Sequence, residues 1–101
     1  MARFLVTYHT GDMPQDPESI AQARRAFIQW AAKTGTALAD VGAPVRSATT
    51  ISSDGIHDGA PAGPFMGWSV IEAEDGNAAV RILADHPFIG RGGILQLSEP
   101  I

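Results

Sequence analysis

The stretch GPFMGWSVIEAEDGNAAVRILADHPFIGRGGILQL, Gly63 to Leu97, decides the fold, because it reads as strand, capped helix, stop and second strand without interruption. Trp68 to Ala73 is a short apolar run of strand formers. Glu74-Asp75-Gly76-Asn77 closes it with side chains suited to turns and to helix capping. From Ala78 the apolar residues Ala79, Ile82 and Leu83 recur at helical spacing. Pro87 ends that element, since the residue before a proline, here His86, is pushed out of the helical region. Gly90, Gly92 and Gly93 make the turn back, and Ile94 to Leu97 reads as a closing strand. The unit is β-α-β.

Upstream of it, Arg3 to His9 (RFLVTYH) is dense in β-branched and aromatic residues and reads as the first strand. After the loop Thr10 to Gln15, Asp16 can cap a helix whose first position is Pro17, where a missing N–H costs nothing. Ile20, Ala23, Phe27, Trp30 and Thr34 then recur at three- and four-residue steps as one buried stripe, and Gly35 is the stop. Thr36 to Val41 fits either a further helical turn or the start of a strand. Gly42-Ala43-Pro44 reads as a turn, Val45 to Ser53 as a Ser/Thr-rich edge strand, and Asp54 to Pro64 as an exposed connection able to overhang a cleft.

The resulting order, β-α-β-β-α-β, implies an α+β fold of ferredoxin-like type: a four-stranded antiparallel sheet with two helices on one face. The other face is left bare. The strands offer apolar residues to both faces, so a lone copy would hold Phe or Leu side chains in water. Pairing two sheets face to face removes that exposure. The expectation is a homodimer forming a dimeric α+β barrel, with a pocket near the strand ends of each protomer.

Bulk properties narrow the function. With 101 residues, 45% hydrophobic and 18% charged, the chain has the composition of one globular domain burying about two thirds of its unfolded surface. It contains no cysteine, which excludes disulfides, thiolate nucleophiles and cysteine-ligated metal sites. A net charge of −4 and scattered basic residues argue against nucleic-acid binding. Phe4-Leu5-Val6 is too short for a signal-peptide core, and no run approaches the ~20 residues of a membrane span, so the cytoplasm is the expected location.

Four motifs carry a resemblance to a known family: the opening ARFLVTYH; Gly42-Ala43-Pro44; Gly63-Pro64-Phe65 leading to Gly67-Trp68-Ser69-Val70-Ile71; and His86-Pro87-Phe88 running to Gly92-Gly93. In order and spacing, over most of the chain, they resemble the YCII-related proteins of the dimeric α+β barrel superfamily, including the group named for an Asp-Gly-Pro-Phe (DGPF) motif. The resemblance implies the dimeric barrel. It implies less about activity, since members are largely uncharacterised and a cleft His–Asp pair suggests hydrolase or lyase chemistry only in some. Here Phe27 stands where the family's helix histidine falls, and Ala62 stands where the motif aspartate would precede Gly63.

Among candidate catalytic residues, His9 ends the first strand at the expected pocket mouth, where Asp12 or Asp58 could orient it for proton transfer. A histidine hydrogen-bonded to its own loop is the simpler alternative. His57 and Asp58 could cover a ligand or be plain solvated loop, and two adjacent residues make no metal site. Trp30, Met66, Trp68 and Phe88 suit an apolar pocket for a small molecule, or equally a core or dimer interface. His86 is placed to cap the last carbonyls of the second helix. Gly90-Arg91-Gly92-Gly93 lacks the lysine and following helix of a phosphate loop, and no serine lies in a nucleophile elbow. No cofactor or metal is implied. Three readings stand: a small-molecule-binding protein able to transfer protons through a pocket histidine; a non-enzymatic binding or interaction module; and a cofactor-free monooxygenase or isomerase of the wider superfamily.

Overall fold

Capping chemistry sets the helix starts. The computed structural model describes residues 1–10, 14–59 and 65–101. Asp16 accepts a hydrogen bond from the Ser19 amide at 3.0 Å and opens α1 (Pro17–Thr34), which ends at Gly35 and a short 3-10 turn, Gly35–Ala37. Asp75 does the same for α2 (Gly76–Leu83), accepting from the Ala78 amide at 2.8 Å.

The strands are β1 (Ala2–His9), β2 (Leu38–Pro44), β3 (Thr49–Ser52), β4 (Gly55–Asp58), β5 (Gly67–Ala73) and β6 (Ile94–Ser98). Four of them form one antiparallel sheet in the order β2-β5-β1-β6, compatible with the ferredoxin-like arrangement expected from the sequence. Alternation along the strands sorts the side chains. Phe4 and Val6 of β1 and Ile71 and Ala73 of β5 point to the covered face, where they pack with Trp30 of α1 and Ala79 and Leu83 of α2. Burying a side chain the size of Ile71 or Phe4 contributes about 2–3 kcal/mol each. The opposite face carries Leu5, Thr7, Trp68, Val70 and Ile94. Leu5 remains 39% exposed and Ile94 58% exposed.

Four expectations need correction. The second strand of the sheet is Leu38–Pro44, drawn from the segment that fitted helix or strand equally, and the Gly42-Ala43-Pro44 turn lies inside it. Its pairing with β5 is interrupted by register shifts on either side of Asp40, which hides the two-residue period. The edge strand expected over Val45 to Ser53 is instead β3, which pairs only with β4 in a separate hairpin, Ile51 facing Ile56 across it. The connection expected from Asp54 onward therefore contains a strand, Gly55–Asp58, and residues 60–64 lie outside the described part. Finally, α2 stops at Leu83, and Pro87 begins a further short helix, α3 (Pro87–Gly90), before the glycine turn.

Candidate functional site

The first half of α1 does not seal the sheet beneath it. Ile20, Ala23, Arg24 and Phe27 form one wall of a cavity of about 440 Å³; the β2 segment Val41–Pro44 and α3 close its sides. Trp30, one turn further along α1, packs into the core, so the helix is anchored at its C-terminal half and stands over a void at the other.

Two polar arrangements face this space. Ser69, buried on β5, donates from Oγ to the Val41 carbonyl oxygen at 2.8 Å, so the 2.7 Å contact between Tyr8 Oη and Ser69 Oγ is a donation by tyrosine. Burial pushes the Tyr8 hydroxyl above its ordinary pKa, outweighing the contact with Ser69, and its proton is committed to that bond.

The second arrangement is His86, only 5% exposed. Its Nδ1 accepts the Phe88 amide hydrogen at 3.1 Å, capping α3. This corrects the expected role at the end of α2, where only the His86 backbone N–H reaches the Leu83 carbonyl. An acceptor Nδ1 requires the neutral ring to carry its hydrogen on Nε2, and that atom is buried without a partner among the described residues. The rings of Trp30 at 4.3 Å, Tyr8 at 5.2 Å and Phe27 at 5.8 Å surround it. Burial first, and the Arg91 charge second, lower its pKa to about 4, so the imidazole is a neutral N–H donor at physiological pH.

The expected site residues divide. Met66, Trp68 and Phe88 border the cavity, Trp68 from a strand position whose side chain alternates away from that of Ser69. Trp30 lies behind His86 and is a core residue. His9 is on the opposite sheet face from Tyr8; its Nε2 is 2.8 Å from Thr7 Oγ1 and its ring meets Phe65 edge-on. His57 and Asp58 are exposed on β4, and neither they nor His9 are among the cavity-lining residues. Asp12 lies outside the described residues. Sequence reasoning missed Tyr8, Ser69, Arg24 and Arg91. The alternation of β1 and β5 could have flagged the first two as same-face neighbours, since Tyr8 and Ser69 share the covered face and lie diagonally across the β1–β5 pair.

Fold and cavity together define an α+β protein with a half-open space between helix and sheet. No protein-family model matches the chain, and a comparison with curated proteins finds no match. Among the described residues, no helix is long and apolar enough to cross a membrane, and no three His, Asp or Glu side chains gather as metal ligands would.

Proposed function

We propose that this is a YCII-like small-molecule-binding protein whose ligand occupies the cavity under α1. The observation that carries the reading is the cavity itself: about 440 Å³, walled mainly by apolar side chains and supplied with a few polar groups that can fix orientation. No carboxylate lines it among the described residues, and Tyr8 and His86 Nδ1 are already engaged. Binding without chemistry is therefore favoured over acid-base catalysis at this spot. N-phenyl-1-naphthylamine, a neutral fluorescent probe, is expected to bind at one site per chain. Ala23→Trp, which places an indole inside the cavity from a half-buried helix position, should weaken it at least about tenfold while the circular dichroism stays unchanged. Unaltered binding by that variant would remove the cavity as the site.

The same reading includes a homodimer closed through the bare sheet face into a dimeric α+β barrel. Leu5 and Val70 stand directly opposite each other on that face, with Trp68 next along β5 and Ile94 further along the same face, opposite His9. Light scattering is expected to give about twice the 10.6 kDa chain mass. Replacing both Leu5 and Val70 by Glu sets two like charges opposite each other and should yield the monomer; a double variant that stays dimeric would place the interface elsewhere. A second reading keeps His9 for proton transfer, because its half-buried imidazole projects from the bare face and would stand inside the shared interior of such a barrel.

A further inference from the structure

The charges around the cavity are of one sign. Its lining includes Arg24 of α1 and Arg91 just after α3, and no Asp or Glu among the described residues, although the chain as a whole carries −4. The ion pairs among the described residues are Arg3 with Glu72 and Lys33 with Asp85, so neither cavity arginine has a carboxylate partner among the described residues. Arg91 lies 5.4 Å from the centre of the Phe88 ring, and its Nε is buried with no hydrogen-bond partner among the described residues. With Nε enclosed, the guanidinium still has the two outer nitrogens of its planar fork, whose geometry matches a carboxylate held by two parallel bonds. The His86 Nε2–H is a further unpaired donor, on a neutral ring, among the lining residues.

We propose that the cavity takes a compact aromatic or aliphatic monocarboxylate, its apolar body among Phe27, Met66 and Phe88 and its carboxylate held by Arg24 and Arg91. This rests on the reading of the cavity as a small-molecule site and adds the ligand's charge and polarity. The volume admits a molecule on the order of 15 heavy atoms. Arg24 supplies long-range attraction from an exposed helix position, whereas Arg91, stacked on Phe88, supplies a fixed fork. His86 Nε2–H is enclosed among the Trp30, Tyr8 and Phe27 rings and is not counted among the ligand's donors.

The test is calorimetric titration of the whole chain with three matched pairs: benzoate, 2-naphthoate and 4-phenylbutyrate, each against its primary amide. The best-fitting carboxylate is expected to bind about tenfold or more tightly than its amide, with the preference shrinking as salt rises. Arg24→Gln should erase about tenfold of that preference, read as the ratio of acid to amide affinity within the variant; its exposed position keeps the fold intact. Arg91→Gln should do the same, with circular dichroism checking that Phe88 still packs. Equal affinity for acid and amide overturns the carboxylate assignment and leaves the cavity reading standing. Binding of neither member of any pair overturns the carboxylate assignment, and the naphthylamine titration then decides the cavity reading by itself. A preference that survives in both arginine variants places the carboxylate elsewhere and overturns the proposal.

Discussion

Gly42→Ala is expected to destabilise the protein by roughly 3–5 kcal/mol, a large part of the stability of a domain this size. Gly42 has φ +72°, a region in which an L side chain alone carries about 1–3 kcal/mol of strain. A Cβ there would also fall on the Trp68 carbonyl oxygen, with the Ser69 Cα only 3.0 Å away. Both obstacles are backbone of β5, the strand paired on both sides within the sheet, so no rotamer change relieves the clash. The bulged strand would have to peel away. Its Val41–Pro44 segment is also a cavity wall, so the same substitution should abolish probe binding under conditions where the chain remains folded. Gly76→Ala is the control: that position opens α2, has open space around it, and should be neutral or stabilising by up to about 1 kcal/mol. Urea unfolding followed by circular dichroism, at one fixed protein concentration because a dimer's stability depends on it, measures both. A loss below about 1 kcal/mol at Gly42 would mean that the β2 bulge does not adopt this conformation.

The second large effect is acid destabilisation through His86. Its folded-state pKa of about 4 lies below the ordinary 6.5 of an unfolded chain. Between those values the unfolded state holds a proton that the folded state does not, so stability falls as the pH falls. The contribution is intact above pH 6.5 and lost by about pH 4. A full displacement would carry about 3 kcal/mol, which residual solvent screening around a ring beside the cavity reduces to about 2 kcal/mol. His86→Phe should flatten the profile between pH 6.5 and 4, since phenylalanine suits the surrounding Trp30, Tyr8 and Phe27 rings but cannot titrate. It gives up the α3 cap at all pH values, which lowers the whole curve without tilting it. Asp16 also titrates with folding: the Ser19 side chain and amide hold its carboxyl below the usual range, so its contribution disappears only below the His86 window. A wild-type profile already flat from pH 7 to 4 would mean that His86 is protonated as readily in the folded chain as in water, and hence not enclosed as described.

Local chemistry was enough to place the elements whose causes are local. Asp16 before Pro17 and Asp75 before a helical repeat are caps because their carboxylates reach amides three residues on, and that distance is a property of the sequence alone. The apolar runs of β1, β5 and β6 are likewise legible, and with two helical repeats between them they imply an antiparallel sheet covered on one face. Tertiary structure decided the rest. Leu38–Pro44 carries no clean alternation because its bulges are a response to β5, and only the partner strand makes it a strand. Thr49–Asp58 holds the residues of a hairpin, but whether that hairpin joins the main sheet depends on which edge is already taken. The site was the least legible part. His9 and Tyr8 are neighbours in sequence, yet alternation sends them to opposite faces, and the tyrosine is the one beside the cavity. His86 looked like the end of one helix and is the start of the next, a distinction set by where the chain turns after Asp85. Arg24 and Arg91 are 67 positions apart in the sequence, and no spacing rule relates them. They meet at one cavity because α1 is anchored at Trp30 and stands clear of the sheet at its other end, which follows from packing volume and not from the order of residues.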